Sequence, residues 1–94
     1  SLAEGQPAAE LANTSQEQAI ATGFASDSTL PAAQKLLLDQ GRLGEAILVT
    51  MKSFSHGADG NLEAATQSLA AFRHMGLEDT ARRAALQLLL LPRG

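Results

Sequence analysis

Apolar residues in the second half of the chain recur at intervals of three and four residues, and this spacing restricts the possible folds more than any other feature. Between residues 43 and 54 the intervals form one stripe along a helix with 3.6 residues per turn: Leu43, Ala46, Ile47, Met51 and Phe54. A half-buried strand would instead alternate with a period of two. The apolar fraction of 45% consists mainly of alanine and leucine, which favour helices, and β-branched residues are few. The sequence therefore predicts an all-α fold.

The composition changes near residue 30. Residues 1–30 are rich in small and polar side chains and are interpreted as an N-terminal extension. Two readings stay open for it: one helix, from about residue 7 or 15 to Ala21, or a linker. In a helix, two large apolar side chains would share a face and could dock on a neighbour: Ile20 and Phe24. Residues 31–94 are expected to form a helical-hairpin domain, because 94 residues suffice for one small core only.

Four helices are predicted between residues 31 and 91, each bounded by a residue that favours a helix end. They run over about 31–40, 42–54, 59–75 and 78–91. Pro31 suits the first helical position, and glycine can adopt the left-handed conformation that ends a helix. Residues 55–58 are predicted to form a loop, Asp59 to cap the third helix, and Pro92 to terminate the fourth.

The apolar stripes also predict which side of each helix is buried. In the second helix, Leu48 and Val49 lie off the stripe and indicate neighbours on two sides. The stripes of the first, third and fourth helices are, in that order, Ala33, Leu36 and Leu37; Leu62, Ala65, Leu69 and Phe72; Ala81, Ala84, Ala85 and Leu88.

Two glycines, Gly41 and Gly76, each separate a leading helix from a following one. They lie thirty-five residues apart, and aligning them pairs Leu37 with Phe72 and Ala46 with Ala81. The glycine lets the chain reverse, and the small alanine lets the two helices approach closely. The pattern therefore predicts two antiparallel helical hairpins.

Helical hairpins at a spacing of about 34 residues are typical of tetratricopeptide arrays. The segments GRLGEAI and FRHMGLEDTARRA resemble the middle of such repeats, and the resemblance covers residues 31–91. It implies a tetratricopeptide-like α-solenoid; a small helical bundle gives nearly the same pattern and stays open as the alternative. Two repeats are fewer than the three that a solenoid usually needs, so the resemblance implies further repeats in a longer protein, or self-association.

Charge and hydropathy argue against two classes of partner. The net charge is −3, and the seven lysines and arginines are scattered along the chain rather than clustered as in a nucleic-acid-binding protein. The longest apolar run near the end, Leu88–Leu91, is far shorter than the roughly 20 residues that span a bilayer. We therefore expect no nucleic-acid partner and no membrane span.

No set of residues in the sequence suits catalysis. The chain has no cysteine, no glycine-rich phosphate loop and no His-Glu-x-x-His motif. No convergent carboxylate pair accompanies His56 or His74. Asp59, Asn61 and Glu63 resemble part of a calcium loop, but helix capping explains the same residues. The sequence thus indicates a protein that is not an enzyme, with no cofactor and no metal site.

Three arginines are the candidate binding residues: Arg73, Arg82 and Arg83. The first belongs to the third predicted helix and the other two to the fourth, so they can converge on an anionic peptide or a C-terminal carboxylate. The alternative is that they are solvated or pair with Glu78 and Asp79.

The last helix carries five leucines in six positions and leaves little room for a polar outer face. Either residues 1–30 fold back and bury it within the fold, or it offers an apolar surface to another chain. Three of them are the candidate interface: Leu86, Leu89 and Leu90. The sequence predicts a non-catalytic protein–protein interaction or structural helical-repeat module of a larger protein or assembly, with a protein or peptide partner. The alternative is a homo-oligomerisation domain that pairs copies of this leucine-rich helix.

Overall fold

The computed structural model describes residues 8–91, and the side chains of residues 15–91. Within this part of the chain the structure has five helices and no strand: α1 (Ala8–Gly23), α2 (Ala32–Asp39), α3 (Leu43–Ala58), α4 (Leu62–His74) and α5 (Glu78–Leu90). The all-α prediction is confirmed, and the N-terminal extension contains a helix. Pro92, the predicted terminator of the last helix, lies outside the described residues.

The helices pack around α4, which contacts α1, α3 and α5, while α2 packs on α3. The stripes predicted for the last two helices are confirmed, since their buried side chains form most of one core cluster: Phe54, Ala65, Leu69, Phe72, Ala81, Ala84, Ala85 and Leu88. Ile20 of α1 and Phe24, which directly follows α1, pack against this cluster, as the sequence predicts for a docked helix. The hydroxyl of Thr66 also donates to the carbonyl of Ala19 at 3.0 Å and so ties α4 to α1.

The α3–α4 connection differs from its prediction. Residues 55–58 belong to α3 and are not a loop, and the helix has its C-cap at Asp59. The N-cap of α4 is Asn61, whose Oδ1 accepts a hydrogen bond of 3.1 Å from the Ala64 N–H. Helix α3 continues through Gly57 because this glycine is buried against Ala65 of α4, and the packing outweighs the low helix propensity of glycine.

The buried faces of α2 and α3 also differ from their predictions. Leu36 and Met51 are more than half exposed, whereas Gln34 is buried and Thr50 is fully buried. Gln34 Nε2 donates to Thr50 Oγ1 at 3.1 Å, and that hydroxyl donates to the carbonyl of Ala46 at 2.8 Å. The two polar groups are satisfied by each other and by the backbone, so their burial is tolerated. A polar pair therefore occupies the α2–α3 contact, where an apolar stripe was expected.

The turns at Gly41 and Gly76 have the same backbone geometry. Their φ angles are 73° and 81°, in the left-handed region, as the sequence predicts. In the first turn Arg42 N–H donates to the Leu37 carbonyl at 2.9 Å, and in the second Leu77 N–H donates to the Phe72 carbonyl at 2.8 Å. The preceding residues match too, with φ of −89° at Gln40 and −85° at Met75. Both turns are Schellman motifs, which close the two hairpins α2–α3 and α4–α5.

Replacing either turn glycine by alanine, Gly41→Ala or Gly76→Ala, is expected to lower the free energy of unfolding by about 1 kcal/mol. A Cβ at either position would meet no atom within 4 Å, so the cost comes from the left-handed backbone alone. Asparagine tolerates this conformation better, so Gly41→Asn and Gly76→Asn should cost less. Urea unfolding followed by far-ultraviolet circular dichroism measures all four variants. Equal stability of the alanine variants and the original chain would contradict the assigned geometry.

Candidate interaction surfaces

The candidate interface leucines lie on the outer side of α5. Leu86, Leu89 and Leu90 are 59%, 38% and 81% exposed, whereas Leu88 between them is fully buried. The spacing i, i+3, i+4 places the three exposed side chains on one face of the helix. The structure thus brings the predicted interface residues together on the surface.

Two of these leucines border an apolar depression between α5 and α1. Its walls are formed by Leu86, Leu89 and Ala85 from α5 and by Ile20 and Phe24 next to them, with Arg82 at the edge, and its volume is about 350 Å³. We call this surface the α1–α5 face. The sequence indicated its leucines, but only the docking of α1 supplies the opposite wall, because that contact joins residues more than sixty positions apart.

Arg73, one of the candidate binding residues, is used within the fold. Its guanidinium lies 5.3 Å from the ring centroid of Phe24 and within 3.4 Å of Glu78 Oε1. It also donates to the backbone carbonyls of Gly23 and Ala25, at 3.4 and 3.5 Å. These contacts join the end of α4 to the end of α1, and they leave Arg73 half-buried rather than free at a groove rim.

The other two candidate arginines lie on opposite flanks of α5. Arg82 borders the α1–α5 face and pairs with Asp79 at 3.4 Å. Arg83 borders a second groove, of about 230 Å³, between α3 and α5. The three arginines thus line three different depressions, although Arg73 and Arg82 both lie beside Phe24.

A third group of exposed apolar side chains was not predicted, because the sequence pattern placed these residues on buried helix faces. On α2 and α3 these exposed side chains are Leu36, Leu43, Leu48, Val49 and Met51. Helix α3 turns its Ala46, Thr50, Phe54 and Gly57 side inward, which leaves the larger aliphatic residues outside. The small residues Ala46 and Gly57, at intervals of three and four with Thr50 and Phe54, were the signal that could have indicated the buried side.

Among the described residues, no aspartate or glutamate forms an ion pair with either histidine. His74 Nε2 lies 2.8 Å from the carbonyl oxygen of Ser28 and holds the α1–α2 connection against α4. His56 is exposed in the last turn of α3, where an imidazole interacts favourably with the helix dipole. No three histidine, aspartate or glutamate side chains among the described residues lie close enough to share a metal ion.

Two further findings concern membranes and known proteins. Among the helices that the structure describes, none is both long and apolar enough to cross a bilayer. Comparison of the chain with protein-family models, with curated proteins and with solved structures gives no match. The tetratricopeptide resemblance stays a prediction, and function is inferred from the surfaces described above.

Proposed function

We propose that this chain is a non-catalytic protein–protein interaction or structural module of a larger protein or assembly, and that it binds a protein or peptide partner through the α1–α5 face. One observation supports the proposal above all others. Leu86 and Leu89 remain exposed beside Ile20 and Phe24, on a depression where Arg82 is the one charged residue among the described border residues. A contiguous apolar patch of this kind, with a charged edge, is typical of an interaction site.

Self-association is the second candidate, and it is favoured by the position of Leu90. This leucine is the most exposed large apolar side chain of the described residues, and it extends the α1–α5 face beyond the depression. A second copy that offered the same leucines would form a two-fold contact between α5 helices. The chain would then be a homo-oligomerisation domain.

Site-specific photocrosslinking separates the two candidates. A photoreactive amino acid is placed at Leu86, at Leu90, or at the control position Lys52, which is exposed on α3 away from the α1–α5 face. In cells of the natural host, we expect adducts from the two leucine positions and none from the control. An adduct of twice the chain mass indicates self-association, and any other mass indicates a different partner.

Light scattering during size-exclusion chromatography provides the matching measurement in solution. If copies associate, Leu90→Glu should convert a dimer into a monomer, since a buried carboxylate on each side of a two-fold contact is unfavourable. Lys52→Glu is the control and should leave the mass unchanged. Equal crosslinking from all three positions, or none from the leucines, would contradict binding through the α1–α5 face.

A further inference from the structure

A second groove lies on the other flank of α5 and has a different character. Helices α3 and α5 form its walls, with Met51 and Phe54 on one side and Ala84 between the polar Thr80 and Gln87 on the other, and Phe72 of α4 lies at its base. We call it the α3–α5 groove. Phe54 and Phe72 are nearly inaccessible, so the floor is fixed by the core, whereas Met51 is exposed at the rim.

Of the described residues that line the α3–α5 groove, Arg83 alone is charged, and none of them is a carboxylate. Within residues 15–91, four of the six lysines and arginines form ion pairs with aspartate or glutamate: Lys35, Arg42, Arg73 and Arg82. Arg83 is not among them, because Asp79, the carboxylate one turn before it, pairs with Arg82 instead. The chain has a net charge of −3, so the positive charge at this groove does not result from a general excess of basic residues.

An unpaired guanidinium restricts what can cover the α3–α5 groove. A purely apolar partner would remove Arg83 from water without offering it an acceptor, and that desolvation is costly. A partner with a carboxylate at the same place would form a charge-assisted hydrogen bond, which guanidinium geometry favours. The partner that fits is therefore apolar towards Met51 and Ala84 and acidic towards Arg83.

The same molecule shows that a helix can fill a neighbouring groove. On the opposite flank of α5, α1 packs against both α4 and α5 and brings Ile20 and Phe24 to the core. A volume of about 230 Å³ accepts the anchoring side chains of a helix rather than a whole small ligand. We propose that the α3–α5 groove binds an amphipathic helical segment of another protein that carries a carboxylate beside its apolar face. This is a second site, separate from the α1–α5 face.

The probe for this site is a displayed library of amphipathic helical peptides, selected on the full chain. Each peptide has leucine at i, i+3, i+4 and i+7, and its flanking positions vary among Glu, Gln, Lys and Ala. We expect the selected peptides to carry glutamate at one flank. Changing that glutamate to glutamine, or Arg83→Gln in the chain, should each raise the dissociation constant about tenfold. The two changes together should raise the dissociation constant little more than either change alone, as expected in a double-mutant cycle on one contact.

Matched variants make the result specific to the α3–α5 groove. Lys52→Gln removes another cation that lies outside the groove and forms no ion pair with a described residue, and it should not alter the affinity. Leu89→Ser tests the α1–α5 face and should also have no effect here, so the two proposals fail separately. Selection without acidic enrichment, no retained peptide, or equal losses in Arg83→Gln and Lys52→Gln would overturn the proposal. Unchanged circular dichroism melting confirms that each variant is folded.

Discussion

Gly57→Ala is expected to lower the free energy of unfolding by about 3 kcal/mol. The added Cβ would lie 2.7 Å from the Cα of Ala65 and 2.8 Å from its Cβ, and it would also meet the Ala65 nitrogen. These atoms belong to the backbone and the first side-chain carbon of α4, so they cannot move aside as the tip of a flexible side chain can. The two helices would have to separate along their contact.

Gly44→Ala is the matched control for Gly57→Ala, because both glycines belong to α3. A Cβ at Gly44 would meet nothing within 4 Å, and alanine favours the helix, so this first-turn variant should be more stable by about 0.5 kcal/mol. The chain has no tryptophan or tyrosine, so urea unfolding is followed by far-ultraviolet circular dichroism. Destabilisation of similar size in both variants would show that helix propensity, not the close approach of α3 and α4, determines the result.

Leu88→Ala is expected to cost about 3 kcal/mol and to lower Tm by about 15 °C. Leu88 has no exposed surface and belongs to the core cluster with Leu69 and Phe72. Removing its outer carbons takes away their burial and leaves a cavity that the rigid helices around it fill only in part. Since small domains are stable by only 5–15 kcal/mol, this loss is a large part of the total.

Leu90→Ala is the control for Leu88→Ala, with the same substitution two residues away in the same helix. Leu90 is 81% exposed, so its truncation should change the free energy of unfolding by less than about 0.5 kcal/mol. Thermal and urea unfolding at low protein concentration measure both variants under conditions that disfavour self-association. A similar loss in both variants would contradict the orientation of α5.

The candidate sites were predicted from the sequence only in part. Spacing alone placed Leu86, Leu89 and Leu90 on one helical face, because positions on a helix follow from its period. Spacing could not show that the three candidate arginines have different contacts. Arg73 lies over the ring of Phe24, almost fifty residues away along the chain. Arg82 and Arg83 are neighbours in the sequence, but Asp79 forms its ion pair with Arg82.

Helix content, the two left-handed glycine turns and the buried faces of α4 and α5 were determined by the sequence, because each depends on residues within one or two turns of one another. Gln34 and Gly57 show what tertiary structure alone decided. A glutamine is buried because Thr50 of another helix accepts its hydrogen bond, and a glycine continues a helix because Ala65 lies against it. Contacts of this kind depend on how the helices are arranged in space, and a helical period carries no information about that arrangement.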